Sequence, residues 1–311
     1  MTVSPTYNVS GQDLWQWRQQ QLQALESEAY RARQAHSPDQ LAAELDWMLR
    51  EVSGLDRLGL RLGTFRSRPQ VPLARSLQEI SDLWRQRLCD CVPVQYLLGQ
   101  MTWRQFSLVV SPAVLIPRPE TELLIDRAVD WVRQHPEAAR GMWADLGTGS
   151  GAIALGLARE LPEITVQAVE VSAEALAIAQ RNIHRYELQR RIILSQGSWF
   201  TPLTAHKGQL QGVVSNPPYI PSPLLPRLQP EVVEHEPHLA LNGGADGLDA
   251  VRHLVQQAHA YLRPGGLLLV EFMAGQGPQI AALLQAEMLY RDIELVRDWA
   301  GLDRFVQAVR V

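Results

Sequence analysis

The sequence predicts an α/β protein in which a mostly parallel sheet is covered by helices on both faces, preceded by a small all-helical domain. Three observations lead there. From Gly141 onward, short apolar runs alternate with stretches at helical spacing. A glycine-rich turn, Gly147-Thr148-Gly149-Ser150-Gly151, joins the first of those runs to the first of those helices. Before residue 92 the apolar residues keep helical spacing and are interrupted by glycine and proline. The length of 311 residues exceeds that of one typical domain, and 46% hydrophobic with 20% charged residues is the balance of a soluble chain able to bury full cores.

Taken in order, Asp13 to Ala35 is polar and rich in Gln, Glu and Arg, consistent with a solvated helix. Ser37-Pro38-Asp39-Gln40 has the form of a capping box with proline in the first turn, and Leu41, Leu45, Met48 and Leu49 then make one apolar face. Leu77, Ile80, Trp84 and Leu88 make another, and Arg57, Arg61, Arg66, Arg68 and Arg75 give this part a basic character. The pattern changes at Val92. Tyr96-Leu97-Leu98-Gly99, Trp103 and the alternating Phe106, Leu108 and Val110 suggest a β-hairpin, so the expected division is 1–92 helical, 93–115 a hairpin linker and 116–311 the sheet domain. Ile116-Pro117-Arg118-Pro119-Glu120-Thr121-Glu122 is a stiff loop whose acidic end opens a helix to about His135, which leaves Arg118 between two prolines without a structural reason. Strands are expected at 141–146, 165–169, 191–194, 210–215 and 267–272, with helices between them. Two closing strands, near 293–296 and 305–311, have no helix between them, so one should run antiparallel.

The glycine turn is the first site candidate. Glycines at 147, 149 and 151 allow close backbone approach at a helix N-terminus, and Glu170 ends the next strand about 20 residues on, where an acid can hold ribose hydroxyls. An adenosine derivative follows, on a Rossmann-like fold. Gly147-x-Gly149-x-x-Ala152 also fits the dinucleotide fingerprint. A pyrophosphate sits poorly beside Asp145, whereas S-adenosyl-L-methionine carries an ammonium and a sulfonium that tolerate a carboxylate.

The second candidate is Asn216-Pro217-Pro218-Tyr219, directly after the apolar run that ends at Ser215. Two prolines remove backbone donors, so the corner offers acceptors. The side-chain oxygen of Asn216 and the carbonyl of Pro217 can each accept one N–H of an amino or amide group and aim its lone pair, while Tyr219 covers the planar group. A dehydrogenase has no evident use for such a corner; an amino-group methyltransferase does.

Together the glycine turn, Asn216-Pro217-Pro218-Tyr219, the Ile116–Glu122 loop and the helical front domain resemble the HemK/PrmC family, glutamine methyltransferases of peptide chain release factors. The likeness runs from about Ser37 to the end. It implies a seven-stranded class I methyltransferase sheet, S-adenosyl-L-methionine as cofactor and the glutamine of the Gly-Gly-Gln loop of class 1 release factors as target, with the front domain as docking part. By the same resemblance Gly147, Thr148, Gly149, Ser150 and Gly151, with Asp145, cradle the methionine end, Glu170 holds the ribose, Trp199 packs on the adenine, and Asn216 and Pro217, with Pro218, Tyr219 and Arg118, receive the substrate. The chain departs from the family's pattern in three places. Ser198 stands where an acid is common, Glu170 replaces the commoner aspartate, and Glu271-Phe272-Met273-Ala274 replaces small residues.

Other chemistry finds less support. His235-Glu236-Pro237-His238 lacks metal-ligand spacing and reads as a structured loop, Ser150 is not in a nucleophile elbow, and Cys89 and Cys91 are expected to be reduced thiols, so no metal site is expected. Ile220 to Gly244 is proline-rich and reads as a lid or docking loop. A base-amino methyltransferase acting on RNA or DNA uses the same corner; the net charge of −4 argues against it. A non-catalytic cofactor-fold module is the third reading. With no leader-like stretch in Met1–Trp15 and no apolar run long enough for a membrane, a cytoplasmic monomer is expected.

Overall fold

The computed structural model describes residues 7–26 and 36–311. The chain divides into two compact units, one running to Gly99 and taking in Gln229–His235, the other made of Gln100–Leu228 and Glu236–Val311.

The first unit holds β1 (Tyr7–Val9), α1 (Gly11–Ala24), α2 (Pro38–Ser53), α3 (Arg57–Leu62), β2 (Val71–Leu73), α4 (Leu77–Cys89) and α5 (Val94–Leu98). Its helices start where their sequences supply caps. Ser37 and Gln40 form the reciprocal capping box expected of α2, and Ser76 with Glu79 forms a second at α4. Leu14, Leu45, Met48, Leu49, Phe65, Ile80 and Trp84 close a common core with almost no exposure. Arg87 is buried in this unit and is neutralised by Glu44 at 2.6 Å.

Two expectations are corrected here. The front region is helical but not wholly so, because β1 pairs antiparallel with β2; Val71 and Leu73 point inward while Pro72, which has no N–H, faces solvent. Val94–Leu98 is a helix and not the start of the hairpin, bounded by Pro93 and by Gly99 in the left-handed conformation that stops a helix. Of the helix expected over Asp13–Ala35, α1 ends at Ala24 and residues 27–35 lie outside the described residues, as do residues 1–6 of the N-terminal stretch.

In the second unit β3 (Gln100–Trp103) and β4 (Phe106–Val109) form a hairpin. Then follow α6 (Glu122–Gln134), β5 (Gly141–Leu146), α7 (Ala152–Glu160), β6 (Ile164–Glu170), α8 (Ala173–Arg185), β7 (Ile192–Gln196) and β8 (Leu210–Ser215). After β8 come the short helix α9 (Pro230–His235, grouped with the first unit), α10 (Asp249–Tyr261), β9 (Leu262–Glu271), α11 (Gly277–Glu287), β10 (Tyr290–Arg297) and β11 (Asp303–Arg310). One seven-stranded sheet runs β10-β11-β9-β8-β5-β6-β7. β11 is antiparallel to both neighbours, as the missing helix requires, and the pairs among β9, β8, β5, β6 and β7 are parallel.

Period-two alternation sorts side chains to two cores. On β9, Leu267 and Leu269 join one core with Leu124 and Ile125 of α6 and Leu155 of α7, while Leu268 and Val270 join the other with Val251 and Leu254 of α10 and Ile280 of α11. The chain crosses from one side of β5 to the other between β7 and β8. Ligand sites in such sheets lie outside the carboxyl ends of the strands at that crossing, which is where the glycine turn and Asn216 emerge.

Trp143 sets the spacing of β5 and β8. A Cβ on Gly212 would lie 2.4 Å from its fully buried ring, so only glycine fits there. Gly212→Ala is expected to destabilise the protein by about 1–3 kcal/mol, read as an earlier urea midpoint at unchanged slope; a midpoint equal to wild type would show that the ring has room to yield.

Candidate active site

A cavity of about 370 Å³ opens at the carboxyl edge of the sheet, within the range that takes a nucleoside-sized ligand. Its wall includes Gly147, Thr148, Gly149 and Ser150 after β5, Glu170 after β6, Ser198 and Trp199 after β7, and Asn216 and Pro218 after β8. Thr121, the loop residues 112–115, and Pro237, Leu239 and Ala240 also line it. Asp145, Gly151, Pro217, Tyr219 and Arg118 do not line it.

The turn after β5 is built around a buried carboxylate. Asp145 Oδ2 accepts the Thr148 hydroxyl at 2.5 Å and the Ala154 N–H at 3.0 Å, while Oδ1 is buried with no hydrogen-bond partner. Burial pushes the Asp145 carboxyl up to about 7, against the lowering effect of those two donors. Gly147, Gly149 and Gly151 all have positive φ, and a Cβ on Gly149 would meet nothing within 4 Å, so the turn leaves open space above itself.

The turn's own amides are largely engaged. Gly147 and Thr148 donate to the Val169 carbonyl, Gly151 donates to the Thr148 carbonyl, and Gly149 donates to Glu170 Oε2 at 2.9 Å. Glu170 Oε1 accepts from Val171 and Ser172. A pyrophosphate needs such amides free and meets two carboxylates instead. Asp145, fully buried and outside the cavity wall, keeps one oxygen without a donor, so it favours a cation in the cavity through its field and not by contact. The site therefore fits a ligand with a cation and ribose hydroxyls better than a dinucleotide.

Trp199 has φ +51, a left-handed conformation that a bulky side chain adopts at a cost. Its ring comes within 3.8 Å of where a Cβ on Gly147 would sit, so the indole forms a flat half-buried wall beside the turn. Ser198 lies next to it, exposed, on the same wall.

The corner after β8 is braced from behind. The buried Ser215 hydroxyl donates to the Leu146 carbonyl at 2.6 Å, tying the end of β8 to the end of β5. Asn216 Nδ2 donates to Thr121 Oγ1 at 3.1 Å, and the Thr121 hydroxyl donates to Glu271 Oε2 at 2.8 Å. Tyr219 donates to Glu271 Oε1 at 3.1 Å, so its phenol points into the fold. Burial, then the neighbouring Glu271, raises Tyr219 above its ordinary range; burial pushes Glu271 up to about 7. The Gln276 amide donates to the carbonyls of Tyr219 and Asp246 and accepts from the Met273 N–H. Gln276, two residues beyond the unusual Glu271–Ala274 stretch, thereby braces the corner.

Arg118 is half-buried and its guanidinium meets the buried Glu236 at 2.7 and 2.9 Å, while its carbonyl accepts from Trp103 Nε1. Glu236 thus serves as the partner of Arg118. His235 lies with its Nε2 2.6 Å from the Asp90 carbonyl. Among the described residues no group of three or more His, Cys, Asp and Glu could hold a metal ion. Thr121, Glu271 and Gln276 were missed from sequence. Thr121 stands at the N-cap position of α6, which explains it locally, yet its hydroxyl makes no cap bond and turns to Glu271 instead.

Comparison with known proteins agrees with this geometry. The methyltransferase small domain family matches residues 123–222. A release factor glutamine methyltransferase of Synechocystis is 51% identical over 85% of this chain and 89% of its own, and one of Gloeobacter violaceus is 49% identical over 93% and 94%. Among solved structures, the hMettl16 catalytic domain in complex with the MAT2A 3′UTR hairpin 6 shares the fold, with TM-score 0.53 at 14% identity over 88% of this chain and 91% of that one.

Asp145 and Glu271 keep protons in the folded protein to about pH 7, whereas ordinary values near 3.8 and 4.5 apply once the chain unfolds. The unfolded chain then binds fewer protons between those limits, so ligand-free stability falls as pH rises from about 4 to 7. Asp145→Asn, whose amide replaces Oδ2 with an acceptor and Oδ1 with a donor, is expected to show a shallower fall in urea midpoint across that window. An unchanged slope would place the Asp145 titration elsewhere.

Proposed function

The chain belongs to the release factor glutamine methyltransferase family, and from that premise we propose that it methylates the side-chain amide nitrogen of the glutamine in the Gly-Gly-Gln loop of class 1 peptide chain release factors. The observation that carries the reading is that Asn216 and the glycine turn, with Glu170 and Trp199, line one cavity. The methyl donor is S-adenosyl-L-methionine, which supplies an electrophilic methyl group on a sulfonium. The turn from Gly147 to Gly151 would give it room, Glu170 would accept from its ribose, Trp199 would stack on its adenine with Ser198 at the adenine edge in place of an acid, and Asp145, buried outside the cavity wall, would favour its cationic end through its field.

An amide nitrogen is a weak nucleophile because its lone pair is delocalised into the carbonyl. Asn216 Oδ1 and the Pro217 carbonyl accept its two N–H groups, which holds the nitrogen and aims the lone pair. Among the described residues no donor is recorded for Asn216 Oδ1, and Pro217, itself buried, stands in sequence between the lining residues Asn216 and Pro218. Tyr219 shapes the corner through Glu271, and the Arg118–Glu236 pair fixes the loops that frame the substrate. The nitrogen gains the methyl group as the methyl–sulfur bond breaks and the sulfonium leaves as a neutral thioether, and the nitrogen loses one proton to water. On the first unit, exposed Leu58 and Leu62 beside Arg57 and Arg61 offer a mixed apolar and basic surface for docking the release factor. The enzyme works as a cytoplasmic monomer.

The test is transfer of labelled methyl from S-adenosyl-L-methionine to a purified class 1 release factor and to its variant with the Gly-Gly-Gln glutamine changed to alanine. Label on the first alone is expected. Asn216→Ala should lose about 10²- to 10³-fold in turnover while binding cofactor as wild type does. Label on neither release factor would move the reading to a nucleic-acid amino group.

A further inference from the structure

We infer that Thr121 and Glu271 set which way the Asn216 amide faces, so that its oxygen and not its nitrogen meets the target amide. This rests on the reading that Asn216 receives that amide. Asn216 and Thr121 line the cavity, and Glu271 and Tyr219 stand behind them.

The direction follows from counting protons. A carboxylate only accepts, and a hydroxyl has one proton to give. Thr121 gives its proton to Glu271 Oε2 at 2.8 Å, so at 3.1 Å it presents a lone pair to Asn216. The group of Asn216 that meets a lone pair is its NH₂, which leaves Oδ1 for the cavity. Tyr219 donates to the second carboxylate oxygen at 3.1 Å, so both oxygens of Glu271 are held as acceptors. Glu271 is 2% exposed and lies behind the cavity wall, so its two oxygens are met by Thr121 and Tyr219. Both are positioning residues, acting through Asn216.

The chain of donors can be reversed by one proton. A protonated Glu271 donates to Thr121, the Thr121 hydroxyl turns toward Asn216, and the amide rotates to accept it. Its NH₂ then faces the NH₂ of the target, two donors with no acceptor between them. The charged and titratable groups around Glu271 are Arg304 on β11, Glu120 beside Thr121, and Tyr219, whose own surroundings include Arg118. Burial outweighs the lowering by Thr121, Tyr219 and Arg304, and the carboxyl titrates near 7.

The experiment compares Thr121→Val, Thr121→Ser and Glu271→Gln with wild type at saturating cofactor and release factor. Thr121→Val is expected to lower kcat by about tenfold to a hundredfold with KM for the release factor and cofactor affinity nearly unchanged, and Thr121→Ser to restore it. Wild-type kcat should fall as pH drops through about 7, and Glu271→Gln should lack that limb whatever its rate. A readout independent of the substrate is the ¹⁵N resonance of the Asn216 side-chain NH₂, assigned by its loss in Asn216→Ala. It should shift in Thr121→Val and stay in Thr121→Ser. Wild-type kcat in Thr121→Val, or an unmoved resonance, would overturn the inference. If wild type methylates no release factor, the substrate reading fails and the resonance alone decides; if Glu271→Gln does not fold, the Thr121 pair decides.

Discussion

A carboxylate buried at the end of a β-strand must be answered by donors, and three such groups organise this protein's site. Asp145 ends β5 one residue early, Glu170 ends β6 and Glu271 ends β9, all less than a tenth exposed. Each draws in the loop beside it. Asp145 holds Thr148 and the start of α7, Glu170 holds Gly149 and the turn into α8, and Glu271 holds Thr121 and Tyr219. The strands are fixed by the ladder, so the loops are fixed by the carboxylates. A rigid sheet thereby hands its precision to loop residues, which otherwise have none of their own.

The same groups set the sign of the site. A turn whose amides were free would attract phosphate, but here Val169, Thr148 and Glu170 already accept four of them. What remains at the base is an unanswered oxygen of Asp145. Negative charge and missing donors select a cationic ligand over a pyrophosphate, on a backbone path that a dinucleotide-binding protein shares. The choice between the two ligand classes lies in who answers the amides and not in the glycines.

That explains how far the sequence could be read. The alternation of strands and helices, the antiparallel strand near the end and the capping box at Ser37 follow from local spacing and short-range hydrogen bonds, and the structure places them within a few residues. Asn216, Glu170 and the glycines were visible because they stand at strand ends with unusual neighbours. The pairing of Thr121 with Glu271 was not, since the two are 150 residues apart in sequence, Thr121 being explained locally as a helix start and Glu271 standing out only as a departure from the family's small residues. The β1–β2 ribbon was missed for a related reason: two three-residue strands carry too few residues to show a period. Arg118 was noticed for its two prolines, yet its partner Glu236 lies 118 residues on, inside a stretch that reads only as proline-rich loop.

Asp145 and Glu271 are raised alike by burial and are nevertheless different instruments. Glu271 has each oxygen met by a hydroxyl, and a hydroxyl can turn round, so the state of this carboxyl is written into the direction of the donors that reach Asn216. Asp145 has one oxygen met by Thr148 and by a backbone N–H that cannot turn, and the other met by nothing. Its second oxygen is thus left without any donor that could answer a charge there. Burial alone would make both groups merely costly. The kind of donor set around each distinguishes them: Glu271 faces two hydroxyls that can turn, Asp145 a hydroxyl and a backbone N–H that cannot.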